Sequence, residues 1–207
     1  MLLARVALVA SILAPSILAC GGQDVGGGGL RRGGSTADVE EEATSEADEA
    51  PTPEAPAPTP EPPPTYLSDL AWAIAENGHG PAEKDRSNGE VAEGDGAVLS
   101  IGNTTYDKGL GVHSLSQITF ELDGAYRRFV SDVGVDDEVP EGQGTIAFQV
   151  FVDDGLAWES GVMRRDGTTK TVNVPVDGAR RLRLVVTDGG DGAAYDHGDW
   201  AGARLLR

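Results

Sequence analysis

Ile146-Ala147-Phe148-Gln149-Val150-Phe151-Val152-Asp153-Asp154-Gly155 sets an apolar residue at every second position and closes on a turn dipeptide. Successive side chains of a strand point to opposite faces, so Ile146, Phe148, Val150 and Val152 share one buried face. The same alternation recurs at Ile118, Phe120 and Leu122, at Val172, Val174 and Val176, and at Leu182, Leu184 and Val186. Shorter strand candidates cover 98–101, 129–135 and 203–206. Asp-Gly dipeptides at 123–124, 154–155, 166–167 and 177–178 mark turns between them. No segment sustains a 3.6-residue apolar period. Short strands separated by turns predict an all-β fold, a jelly-roll β-sandwich, over residues 66–207.

The first third of the chain has a different texture. Residues 22–65 hold almost no large apolar side chains and cannot bury enough surface to offset the entropy of ordering. Residues 38–61 carry nine acidic side chains and no basic one, and 51–64 hold eight prolines. Self-repulsion and polyproline geometry predict a disordered, extended linker over 21–65. The net charge of −18 argues against a nucleic-acid partner, since phosphate binding needs clustered Lys and Arg.

Residues 1–20 read as a lipoprotein signal peptide. Arg5 precedes a short apolar run that Pro15 interrupts, and Ile17-Leu18-Ala19-Cys20 resembles a bacterial lipobox. The run is too short to span a bilayer. Cys20, the single cysteine, is the expected lipidation site, which predicts a secreted lipoprotein anchored to a membrane of the cell envelope. One cysteine excludes an intrachain disulfide.

Polar residues of unusual density fall in four stretches between the strand cores. They cover 76–90, 106–114, 133–138 and 187–201, and contain Asn77-Gly78-His79-Gly80-Pro81 running on to Ser87-Asn88-Gly89-Glu90, then Lys108-Gly109-Leu110-Gly111-Val112-His113, then Gly134-Val135-Asp136-Asp137-Glu138, and finally Asp196-His197-Gly198-Asp199-Trp200-Ala201. In this order, with Trp72 and Ser160-Gly161-Val162-Met163, they resemble the NPCBM carbohydrate-binding family across 66–207. The resemblance implies a galactose-binding-like jelly roll, a galactose-type or related glycan as ligand, and a calcium ion nearby. The family often accompanies glycoside hydrolases or peptidases.

The residues themselves suggest roles. Asp85, Asn88, Asp95 and Asp199 are hard oxygen donors, and a jelly roll could bring Asp85 and Asn88 to Asp199, which makes these three the expected calcium ligands; caps and an arginine partner are the alternative. His113, Asp136, Asp137, Glu138 and Trp158 are the expected carbohydrate-binding residues: His and carboxylates for hydroxyls, an aromatic face for the apolar side of the sugar ring. His113 could instead be a core histidine satisfied by Asp136 or Asp137, and Trp200 is read as core. No nucleophile elbow, HExxH helix or phosphate-binding loop is present, and one His in Asp196-His197-Gly198-Asp199 is too few for zinc. The reading is therefore a non-catalytic glycan-binding module on a lipid-anchored stalk. The alternative is a protein-interaction or scaffolding module of the envelope that has lost sugar affinity.

Overall fold

A computed structural model of the chain describes residues 60–207. The expected signal peptide, Cys20 and nearly all of the expected linker lie outside the described residues. The expected sandwich is present. In chain order its strands are β1 (Thr65–Tyr66), β2 (Ile74–Glu76), β3 (Glu83–Lys84), β4 (Leu99–Ile101), β5 (Thr104–Tyr106), β6 (Gly109–His113) and β7 (Ser116–Glu121). There follow β8 (Arg128–Val135), β9 (Thr145–Val152), β10 (Gly155–Arg164), β11 (Lys170–Pro175), β12 (Arg181–Thr187) and β13 (His197–Leu206). One sheet runs β11-β8-β13-β6-β3 with β1 also on β13, the other β10-β9-β12-β7-β2, and β4–β5 is a separate hairpin.

The alternation in the sequence becomes the core. Val150, Leu184 and Ile118 form one row across three strands of the second sheet. Val133, Trp200 and Leu110 form a facing row in the first. Trp200 is fully buried and meets Phe148 edge-on, ring centroids 5.0 Å apart, the aromatic arrangement favoured by ring quadrupoles. Of the four Asp-Gly turns only the one before Gly155 closes a hairpin, β9–β10; the other three pass the chain between sheets.

The two sheets differ on their outer faces. Asp199 on β13 pairs across to Gly111 on β6 and Gly134 on β8, so these three share the face turned away from the core. Two glycines flanking a small side chain leave a trough, and the chain lies in it. A Cβ on Gly111 would stand 2.5 Å from Asn88 N and closer still to Arg86 O and Ser87 C, while one on Gly134 would run into Ile101. Residues 86–88 and the β4–β5 hairpin therefore cover this sheet. Asp137 fastens the hairpin, accepting from Ser100 Oγ at 2.6 Å, Gly102 N at 3.0 Å and Asn103 N at 2.7 Å, with Arg165 paired at 3.0 Å.

Candidate functional site

Strand pairing sets the site at one end of the sandwich. The last residue of β6, His113, lies directly opposite the first of β13, His197. The loop after β2 brings His79 over the same spot. All three histidines of the chain thus gather, with ring centroids 5.6 Å apart for His79–His113 and 5.1 Å for His113–His197. They line a pocket of about 430 Å³ together with Glu90 and Tyr195.

Asn77 organises the loop. Its Nδ2 donates to His79 O at 2.7 Å, Gly80 O at 3.1 Å and Asn88 Oδ1 at 2.7 Å, and its Oδ1 accepts from His113 N at 2.8 Å. Gly80 sits at φ 62°, which allows the sharp turn. Asp95 holds Glu90 in place by accepting from the backbone N–H groups of Glu90, Val91 and Ala92 at 3.0, 3.0 and 2.9 Å.

The hydrogen bonds define each imidazole. His113 Nδ1 lies 2.6 Å from Ser114 O. A carbonyl cannot donate, so Nδ1 carries the proton. Burial holds the His113 pKa below its usual value, which leaves Nε2 as an acceptor. His197 behaves oppositely: Glu138 Oε1, 2.7 Å from its Nδ1, raises its pKa. Glu138 also accepts from Ser87 Oγ at 3.1 Å, which ties the covering segment to the site. Glu90 spans two rings, 3.3 Å from His79 Nε2 and 3.8 Å from His197 Nε2.

Tyr195 supplies the aromatic rim. It is 53% exposed and held at φ 64°, a left-handed conformation rare for a bulky residue and found where surrounding structure enforces it. The enforcing contacts belong to its neighbour. Buried Asp196 accepts from Ser114 Oγ at 2.6 Å and from Thr145 N at 3.0 Å.

Of the expected sugar-binding residues, only His113 lines the pocket, and Glu138 stands behind His197. Asp136 is buried at the end of β8, bonded to the N–H groups of Ser100 and Glu138. Asp137 serves the β4–β5 hairpin. Trp158 is on edge strand β10, partly buried against the core rather than at the pocket. His79, Glu90, Tyr195 and His197 line the pocket and Asn77 holds its loop, and none of the five is among the residues that the sequence points to. The histidine count was a usable signal: three in the chain, each inside one of the polar stretches.

Asp85, Asn88 and Asp199 do not meet as a ligand set. Asp85 pairs with Lys108 at 3.0 Å and accepts from Gly109 N at 3.1 Å. Asn88 is spent on Asn77, His79 O and Gly89 O. Asp199 differs, because it is fully buried and neither carboxylate oxygen has a hydrogen-bond partner. Burial and then neighbouring Asp136 push its pKa well above the ordinary carboxylate value. Two ionised carboxylates offer each other no donor, so the pair needs a shared proton or a cation. Among the described residues no three His, Cys, Asp or Glu are grouped to hold a metal, so a cation there would draw on backbone carbonyls as well.

Comparison with known proteins gives a consistent result. The NPCBM/NEW2 domain model matches residues 64–206. A Renibacterium salmoninarum protein named "Putative endo-alpha-N-acetylgalactosaminidase" is 38% identical over 143 residues, 69% of this chain and 9% of that protein. Alpha-1,3-galactosidase B of Akkermansia muciniphila is 37% identical over 108 residues, 50% of this chain and 13% of its own length. Most of each relative therefore lies outside the match. Among solved structures, CBM51 from Clostridium perfringens GH95 in complex with methyl-galactose is 38% identical with a TM-score of 0.64, covering 70% of this chain and 100% of its own. CBM51-2 of Clostridium perfringens ZmpB, solved with GlcNAc, is 34% identical with a TM-score of 0.64, covering 71% of this chain and 32% of its own.

Proposed function

The chain belongs to the NPCBM/NEW2 domain family, and on that premise we propose that residues 66–207 form a non-catalytic module that binds a terminal galactose-type sugar in the three-histidine pocket. The carrying observation is the pocket itself. His113 Nε2 offers an acceptor, Glu90 a second, the His197–Glu138 pair a donor, and Tyr195 an exposed ring for the apolar face of the pyranose. The methyl-galactose complex of a relative 38% identical supports the ligand class. Tyr195, rather than Trp158, is the stacking residue in this reading. Tyr195→Ala is expected to weaken methyl-galactoside binding about tenfold, the size of an aromatic contact of about 1.4 kcal/mol, at unchanged melting temperature. Titration calorimetry checks this, and an unchanged Kd removes Tyr195 from the site.

Calcium, implied by the family resemblance, would be held by Asp199 with Asp136 beside it, not by Asp85 or Asn88. When bound it supplies the positive charge that the buried carboxylates otherwise lack. A ligand that binds only the folded state stabilises it by about 2.7 kcal/mol at a hundredfold excess over its Kd. Calcium is therefore expected to raise the melting temperature of metal-free protein, and Asp199→Asn to abolish that rise. Identical melting curves in calcium and in EDTA would sink this assignment.

We also propose that Cys20 carries the lipid that displays the module at the envelope, on the lipobox reading. Cys20→Ala is expected to shift the protein from the detergent phase to the aqueous phase in phase partitioning.

A further inference from the structure

The sugar pocket has a one-sided charge character. None of its lining residues is a lysine or arginine. His197, whose pKa Glu138 raises, is already matched by Glu138 at 2.7 Å. His113 has its one N–H committed to Ser114 O and faces a ligand with a lone pair. Glu90, 64% exposed at its side chain, reaches His79 and His197 at 3.3 and 3.8 Å, the longer of which is too far for a hydrogen bond. Beside the donor that the His197–Glu138 pair supplies, the pocket thus adds acceptors at His113 and Glu90, and its most exposed charged side chain, Glu90, is negative.

A ligand must bring donors to such a site. A neutral hydroxyl brings one. A protonated primary amine brings three and a charge, and hydrogen bonds between charged partners are about twice as strong as neutral ones. A carboxylate brings none, and it would face Glu90 with no guanidinium or ammonium to receive it.

We propose that the pocket ranks sugars by charge, taking a hexosamine with a free amine more tightly than the neutral hexose and excluding the hexuronic acid, with Glu90 as the selecting group. This rests on the three-histidine pocket being the sugar site. His79 and the Asp95 turn serve the same end, because they fix where the Glu90 carboxylate stands.

The test is titration calorimetry of the full chain with galactosamine, galactose, N-acetylgalactosamine and galacturonic acid at pH 7 and low salt. Galactosamine is expected to bind about tenfold tighter than galactose, and galacturonic acid more than tenfold weaker. N-acetylation removes the charge and should bring the affinity back to that of galactose. In Glu90→Gln the galactosamine-to-galactose affinity ratio should fall from about ten to about one, whatever the absolute affinities become. Salt at about 0.5 M should shrink the same ratio in the unmodified chain, since it screens an exposed charge pair. Equal affinity for galactosamine and galactose, or for galacturonic acid and galactose, overturns the charge ranking and leaves the sugar pocket standing. No binding of any of the four sugars overturns both.

Discussion

Replacing Gly111 by alanine is expected to lower the melting temperature of the domain by about 10 °C. The position has no left-handed backbone to strain, so the effect is purely one of space. The added methyl would enter the backbone of 86–88, which lies across the outer face of β6, and its nearest atoms are backbone rather than flexible side-chain ends. Either the sheet bends or the covering segment lifts. Overpacking of this kind costs up to about 3 kcal/mol, and a domain of this size loses roughly 3–4 °C per kcal/mol. Lifting the segment has a second consequence, because Ser87 Oγ would leave Glu138 and the buried Asp199 would be opened to water. Gly155→Ala is the control, since its Cβ would meet nothing nearer than Val152 O at 3.7 Å. Thermal melts of the two variants decide the matter, and a Gly111→Ala protein that melts with the control shows that the covering segment is not packed as described.

His113→Ala is expected to abolish detectable sugar binding while leaving the fold intact. A complex with one sugar is weak, of the order of −4 to −8 kcal/mol, so losing an acceptor and part of the pocket floor takes it below detection. The fold should survive because His113 ends its strand. Its Nδ1–H is satisfied by the adjacent Ser114 carbonyl rather than by Asp136 or Asp137, and its backbone N–H is held by Asn77 whatever the side chain. Calorimetry and a thermal melt must be read together. Lost binding at an unchanged melting temperature assigns His113 to the ligand. A large fall in melting temperature makes it a structural residue, and intact binding removes it from the site.

The fold was legible where a strand has one wet face. β7, β9, β11 and β12 were all found within two residues of their ends, because Glu121, Gln149, Asn173 and Arg183 alternate with buried apolar neighbours. The edge strand β10 was missed, since its outward Leu156 and Val162 blur the alternation. Strand β6 was missed as well, and only the last residues of β13 were read. Both are buried on both faces near the site: every residue of β6 is buried, as are Gly198 to Ala201 of β13. A chain segment packed on the outside of a sheet erases the polar half of the pattern, and Gly-Leu-Gly-Val-His then looks like a loop.

The sequence by itself determined the β-sandwich and the family, and it marked the polar stretches that hold the three histidines. Periodicity and motif order are local properties of the chain, and they survive without coordinates. Only the tertiary structure decided which residues of those stretches share a pocket. The antiparallel pairing of β6 with β13 brings His113 to His197 across 84 positions of sequence, and the Asn77 loop adds His79. The same pairing turns Asp199 away from the pocket and buries it, two residues along the strand from His197, beneath a segment that two glycines admit. Residue type marks what a side chain can do, but register and the layer packed above it decide what it meets.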